Sequence, residues 1–166
     1  RGFGDPISLL IDKNDNEEVL FFNIYEQDKE FLITSSAGKG FFVNSNDFIA
    51  STKSGKKVMN LKDNDRAVSC AEKKGDLIVS ISGEKKSFKL LAFNSSEIPN
   101  MQKGRGVTLQ KFKSGKTLNA FCADSNEGII NERSKKVLLS AKDLKKWLGK
   151  RAQAGRIEPK YLHSKI

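Results

Sequence analysis

The residues whose types could carry chemistry fall short of it once their spacing is read. Ser114-Gly115-Lys116-Thr117 has the ending of a phosphate-binding loop, but the glycine needed five residues before Gly115 is replaced by Gln110. Gly38-Lys39-Gly40 and Gly104-Arg105-Gly106 carry the first half of a dinucleotide fingerprint. Its third glycine would fall at Val43 and Leu109, and strand-like runs follow where a helix is required. His163 is the only histidine, which removes most imidazole-based metal and triad chemistry. Cys70 and Cys122 stand far apart beside apolar neighbours and without a Cys-x-x-Cys, so they read as small buried hydrophobes in a reducing compartment rather than a disulfide, a zinc site or reactive thiols. Glu17-Glu18 and the Asp63 and Asp65 pair lie in polar loops and read as solvated surface rather than acid–base pairs. Neither Tyr25 nor Tyr161 has a setting that argues for a covalent nucleophile. The sequence therefore predicts no catalytic residue, no metal site and no cofactor.

A different pattern survives this inspection: glycine-containing turns that carry a cation. They hold Lys39, then Lys53, Lys56 and Lys57, then Lys85 and Lys86, then Lys103 and Arg105 with Lys111 just beyond, then Lys150, Arg151 and Arg156. Main-chain N–H groups beside Lys or Arg suit a phosphate backbone, and glycine lets that backbone come close. Net charge points the same way. The chain is +10 overall; residues 1–100 hold 14 basic and 15 acidic side chains, residues 101–166 hold 16 basic and 5 acidic. A field so skewed favours a polyanion, nucleic acid ahead of an acidic membrane surface.

The elements that position these turns repeat. Phe31-Leu32-Ile33-Thr34-Ser35-Ser36-Ala37-Gly38-Lys39-Gly40-Phe41-Phe42-Val43 is an apolar strand, a glycine turn and a second strand. It recurs as Leu77-Ile78-Val79-Ser80-Ile81-Ser82-Gly83-Glu84-Lys85-Lys86 with Phe88-Lys89-Leu90-Leu91-Ala92-Phe93. A basic turn leading into a strand, Lys53-Ser54-Gly55-Lys56-Lys57-Val58-Met59-Asn60-Leu61, returns as Gln102-Lys103-Gly104-Arg105-Gly106-Val107-Thr108-Leu109-Gln110-Lys111-Phe112. It returns more faintly as Gly149-Lys150-Arg151-Ala152-Gln153-Ala154-Gly155-Arg156. Asp47-Phe48 has a counterpart in Asp143-Leu144, 96 residues on. A period of 45 to 50 residues of short strands predicts four-stranded blades arranged radially, about three of them in 166 residues. We expect one domain over 1–166, with a lead-in over about 1–30 and units near 31–76, 77–125 and 126–166. Ser140-Ala141-Lys142-Asp143 resembles a capping box, Leu144, Trp147 and Leu148 share a helical face, and Gly149 can stop the run, which predicts one short helix there. Trp147 belongs to its packing face rather than to a base-stacking platform. Hydrophobic residues at 37%, charged residues at 30% and 3 Pro against 13 Gly exclude a disordered tail, and no apolar run approaches the roughly 18 residues of a membrane span. The start, Arg1-Gly2-Phe3-Gly4-Asp5-Pro6, suggests a soluble fragment of something longer.

These residues resemble the C-terminal domain of the type IIA topoisomerase A subunits, within it the topoisomerase IV branch of the alphaproteobacterial kind. The match covers nearly the whole chain. It is most specific at Gly4-Asp5-Pro6-Ile7 with Ile11-Asp12, Phe31-Leu32-Ile33 through Gly38-Lys39-Gly40-Phe41, Gly55-Lys56 with Val58-Met59-Asn60-Leu61, Ile98-Pro99 through the Gly104 turn to Phe112, and Leu144-Lys145-Lys146-Trp147 with the run from Arg151 to Arg156. The resemblance implies an all-β pinwheel whose blades exchange strands, with duplex DNA along its outer rim. It also implies a parent enzyme that passes one duplex through another, decatenating and relaxing DNA. That enzyme is a heterotetramer with an ATPase B subunit, and its catalytic tyrosine, ATP and magnesium sites lie outside this domain. The expected setting is cytoplasmic and chromosome-associated, with a peripheral place at the inner membrane by the same resemblance, and the isolated domain is expected to be a non-catalytic monomer. Gyrase A subunits carry a run resembling Gln-Arg-Arg-Gly-Gly-Lys-Gly that supports DNA wrapping. The nearest approach here is Gln102-Lys103-Gly104-Arg105-Gly106, which argues against gyrase-like supercoiling. The low blade count argues for an open C shape. The alternatives are a propeller-like scaffold for an acidic protein and a gyrase-type wrapping domain without the usual signature.

Overall fold

The structure is a computed structural model that describes residues 4–6, 9–14, 16–84, 87–131, 134–159 and 162–166. Each repeated apolar segment forms a hairpin: β1 (Glu30–Ser35) with β2 (Lys39–Asn44), and β4 (Leu77–Glu84) with β5 (Ser87–Asn94). Period-2 alternation puts Leu32, Phe42, Leu91 and Phe93 on one side and Ile33, Phe41, Leu90 and Ala92 on the other, so both faces of each sheet are apolar. Such sheets must be stacked face to face. Each hairpin ends in a one-turn 3-10 segment capped alike: Asn44 Oδ1 accepts from Asn46 N–H at 2.9 Å, and Asn94 Oδ1 from Ser96 N–H at 2.8 Å.

A third strand closes one edge of each hairpin: β3 (Ala67–Glu72) beside β1 and β7 (Lys116–Ala123) beside β4. The other edge is closed from farther along the chain. After β5 the polypeptide returns to the first sheet as β6 (Val107–Thr108), which pairs with β2; after the third hairpin it returns to the second sheet as β10 (Arg156–Ile157), which pairs with β5. The resulting orders are β3-β1-β2-β6 and β7-β4-β5-β10. Each completed blade thus holds a strand that the chain delivers only after starting the next blade, the exchange that defines a pinwheel. The third sheet is the pair β8 (Ile129–Ile130) and β9 (Val137–Leu139); among the described residues the first and last sheets do not pair, so the array is open.

Two apolar layers join the blades. Leu32, Phe42, Ile78, Leu91, Phe93, Ile98, Leu109 and Ala120 fill the space between the first and second sheets. Leu77, Val79, Ile81, Leu90, Ile129, Leu139, Leu144 and Leu162 fill that between the second and third. The helix α1 (Ala141–Leu144) caps the second layer: Ser140 Oγ accepts from Asp143 N–H at 3.1 Å and Leu144 is buried. It is shorter than the sequence pattern implies because it tightens into a 3-10 turn over Lys145–Trp147. Leu148 is then extended and exposed instead of sharing the apolar face. Trp147 packs against the core and its Nε1–H donates to the Ile157 carbonyl at 2.8 Å. Asp47-Phe48 and Asp143-Leu144 do occupy matching places, one turn beyond an Asn or Ser cap. The strand expected after Gly55 is reduced to one bridge, between Met59 and Gly104. Among the described residues no helix is long and apolar enough to cross a membrane.

Glycine permits the exchange where the returning strand meets its host. Gly106 has φ +73° and lies against the Gly40 main chain, so a methyl group there would stand inside contact distance of the Gly40 carbonyl. Gly55, in the corresponding turn of the first copy, has φ +78° but open space around it. Gly55→Ala is expected to cost only the left-handed backbone penalty, about 1 kcal/mol. Gly106→Ala is expected to cost about 2 to 4 kcal/mol because β6 must also leave the sheet. Denaturant unfolding of the two variants measures the difference; equal costs would mean that β6 is not held against β2.

Candidate nucleic-acid interface

The basic turns precede the exchanged strands, and main-chain bonds tie them to one another in series. Asp12 N–H donates to the Lys53 carbonyl at 3.2 Å, Asn60 N–H to the Gly104 carbonyl at 2.7 Å, and Lys111 N–H to the Gln153 carbonyl at 3.0 Å. Gly104 N–H returns a bond to the Val58 carbonyl at 3.0 Å, and Ala152 N–H one to the Leu109 carbonyl at 2.8 Å. One linkage therefore recurs at each period. It seats the turn with Lys53, Lys56 and Lys57 beside that with Lys103 and Arg105, and the segment with Lys111 beside the turn with Lys150 and Arg151. Lys53, Lys56, Lys57, Lys103, Arg105, Lys111, Lys150 and Arg156 are all exposed. Lys85 and Lys86 lie outside the described residues.

Lys39 and Arg151 differ from the rest. Both are half-buried and both converge on Thr108 of β6: Lys39 Nζ donates to its hydroxyl at 2.6 Å and Arg151 Nη1 to its carbonyl at 2.8 Å. Arg151 N–H also donates to the Glu97 carboxylate at 3.0 Å. The guanidinium thus braces one turn against the exchanged strand of another blade, a positioning role that sequence reasoning missed because Thr108 and Glu97 are 43 and 54 residues away. Around β3 positive charge is already matched. Lys29 and Lys74 flank Glu72 at 3.0 and 3.1 Å, and Lys73 meets Glu30 at 2.6 Å. The Lys29 contact holds the Glu72 carboxyl below its ordinary range, and Lys73 does the same for Glu30.

The loop acids are not simply solvated. Asp65 Oδ1 accepts from the Ser36 hydroxyl at 2.7 Å, from Ala37 N–H at 2.9 Å and from Arg66 N–H at 3.0 Å, clamping the β1–β2 turn that carries Lys39. Partial burial works against its charge, but the hydrogen bonds win and its pKa is lowered. Cys70 and Cys122 are free and half-buried, and burial pushes both thiols up, away from the reactive thiolate. Thr117, of the broken phosphate-loop motif, is buried in β7 with its hydroxyl 2.9 Å from that of Ser82. His163 packs on the Phe88 ring at 4.4 Å between centroids and bonds Glu158 through Nδ1.

The family model described as the DNA gyrase C-terminal domain, a beta-propeller, matches residues 29–71 and 92–121. The A subunit of DNA topoisomerase 4 from Rickettsia bellii (strain RML369-C) is 44% identical over 161 residues, 96% of this chain and 21% of that protein. The chain belongs to the C-terminal domain family of the topoisomerase A subunits. The corresponding protein of Rickettsia conorii (strain ATCC VR-613 / Malish 7) is 43% identical over 96% of the chain, and that of Caulobacter vibrioides (strain ATCC 19089 / CIP 103742 / CB 15) 28% over 96%. The chain spans about a fifth of the length of each of these relatives. The E. coli ParC C-terminal domain has the same fold, with a TM-score of 0.80 at 21% identity over 98% of this chain and 69% of that one. So does the DNA gyrase A C-terminal domain, at 0.69 and 24% over 95% of this chain and 55% of that one. As in those domains, the sheets of this chain form a propeller-like array; the turns with Lys53 to Lys57, Lys103 and Arg105, and Lys150 and Arg151 lie outside the hairpins, whereas Lys39 sits at the β1–β2 turn.

The Asp65 clamp gives a pH signature. Because the folded-state pKa is lowered, the carboxylate stabilises the turn fully above its unfolded value near 3.9, and that contribution is lost as pH falls through the lower folded value. Asp65→Asn is therefore expected to cost about 1 kcal/mol at pH 7. The gap to the unmodified chain should shrink below about pH 4. Thermal melts from pH 7 to 2.5 measure it; a gap independent of pH would remove the ionised clamp from the account.

Proposed function

We propose that the domain binds duplex DNA without reading its sequence, along the series of turns from Lys53 to Arg156, and bends it for strand passage by a type II topoisomerase. The observation that supports this reading is the recurrent main-chain linkage that lines up Lys53, Lys56 and Lys57 with Lys103 and Arg105, and Lys111 with Lys150, while the lysines of the loops at 29 and 73–74 are engaged by carboxylates. Exposed cations spaced along a turn row act additively on a phosphate backbone. Screening within about 10 Å at ordinary salt limits what more distant lysines contribute. The turns offer charge and main-chain N–H groups but no arrangement for reading base edges, so the contact positions DNA rather than selecting it.

In this reading the chain is the DNA-presenting part of a topoisomerase IV A subunit. Cleavage chemistry, magnesium and ATP belong to the remainder of that protein and to its B-subunit partner, acting on the chromosome in the cytoplasm. Lys39 helps hold β6, Arg151 acts chiefly as a brace, and Arg156 extends the row. Lys85 and Lys86 are assigned to it on sequence alone.

Duplex titrations at several salt concentrations, with a bending readout, test the proposal. Replacing Lys56, Lys103, Arg105 and Lys150 together by Ala is expected to make the slope of log K against log salt shallower by up to about four units, near one per lost phosphate contact. Replacing Lys13, Lys29, Lys73 and Lys74 removes the same formal charge and should change that slope little. Equal losses in both variants would reduce the interaction to net charge. Salt-insensitive binding of an acidic protein in place of DNA would favour a scaffold instead.

A further inference from the structure

The third basic turn reaches back across the array to a single residue of the first sheet. β6 ends that sheet, and Leu109 N–H donates to the Gly38 carbonyl at 2.9 Å. In antiparallel alternation the main chain of the preceding residue, Thr108, opposite Lys39, therefore points away from β2. Its outward carbonyl takes Arg151 Nη1 at 2.8 Å, and its hydroxyl takes Lys39 Nζ at 2.6 Å. Two cations from distant parts of the chain are thus seated on the two oxygens of one half-buried residue. Among the described residues neither side chain is in an ion pair, and the Glu97 carboxylate is bonded to the main-chain N–H of Arg151.

The second sheet separates bracing from charge. Ile157 is opposite Lys89 as Thr108 is opposite Lys39, and Glu158 N–H donates to the Phe88 carbonyl at 3.0 Å, so the Ile157 carbonyl also points outward. That carbonyl accepts from Trp147 Nε1 at 2.8 Å, an uncharged donor. Holding the outward carbonyl of an exchanged strand therefore needs no cation. In place of the Thr108 hydroxyl stands an apolar side chain, 72% exposed, and Lys89 is exposed rather than tied down. The first sheet brings together what the second omits: a guanidinium, a held ammonium and a hydroxyl. The guanidinium spends one N–H on the carbonyl and keeps the rest of its planar fork, while the hydroxyl accepts from Lys39 and retains its own hydrogen to donate. Cations gathered without a carboxylate repel one another, and donors already held lose little side-chain freedom when an anion arrives.

We propose that Lys39, Thr108 and Arg151 form a site for one phosphate group, filled by a phosphodiester of the bound duplex. The assignment rests on the DNA reading above and deepens it. The exposed lysines of the row meet the backbone as point charges on flexible stems. This site orients a single phosphate through the guanidinium fork and the hydroxyl, and so ties the duplex to the exchanged strand of the first sheet. It gives Thr108, an uncharged residue, a direct part in the affinity, which net charge alone does not.

Duplex titrations of the unmodified chain, Thr108→Val and Arg151→Lys test this. Neither variant changes the formal charge, so the slope of log K against log salt should stay the same. Affinity should fall about tenfold in each, because a hydrogen bond to a charged group or the planar fork is lost. The Arg151 guanidinium nitrogens should shift when a short duplex is added, and amide exchange at 107–109 without DNA should be unchanged by Thr108→Val, which separates a phosphate contact from a loosened β6. Inorganic phosphate at matched ionic strength is the second arm. Shifts caused by inorganic phosphate and not by the duplex would overturn the assignment to DNA. Unchanged affinity in both variants, or a loss accompanied by faster exchange at 107–109, would overturn the site while leaving the DNA reading in place. Absence of salt-dependent duplex binding by the unmodified chain would instead overturn the DNA reading, and this assignment with it.

Discussion

The fold depends on one close approach, that of β6 to the main chain of β2 at Gly40, repeated where β10 meets β5. An edge of each completed blade carries unpaired N–H and C=O groups until a strand arrives from beyond the next hairpin. That requirement couples the blades: the first cannot be completed before β4 and β5 exist, and the delivered strand must turn sharply to enter the sheet. Glycine-bearing turns are the physical consequence. Because every return is made in the same sense, successive turns fall beside one another and bond through Gly104 and Gln153. The row of exposed cations is thus a by-product of how the sheets are finished.

Charge is sorted by the same geometry. Around β3 the lysines meet carboxylates at 2.6 to 3.1 Å and stabilise the local surface modestly, as exposed pairs do. After residue 100 few acids remain, and Glu97 accepts from a main-chain N–H of the Arg151 turn. In the proposed reading, a polyanion meets a field concentrated on the segments that the exchange has brought together.

The hairpins, the period, the Ser140 cap and the short helix were legible in the sequence because each is set by residues within a few positions of one another. The strands β3 and β7 were not. Ala67-Val68-Ser69-Cys70-Ala71-Glu72 has small residues in place of a strong alternating apolar run, since it packs between blades, where Ser69 Oγ accepts from Ala120 N–H at 3.3 Å. The brace through Arg151, Thr108 and Glu97 and the Asp65 clamp were equally invisible, because their partners lie 28 to 54 residues apart in sequence and meet only through the exchange or the β1–β3 pairing. The basic turns were legible as turns; that they adjoin was an inference from the period, and the main-chain bonds supply its physical form.

The most direct test of the account is to map amide chemical shifts while the isotope-labelled chain is titrated with a short duplex. The account predicts that perturbations follow the turn row, at 53–60, 103–111 and 150–156, and are weak at Lys29, Lys73 and Lys74. Perturbations of similar size at those paired lysines, or confined to one end of the row, would contradict it.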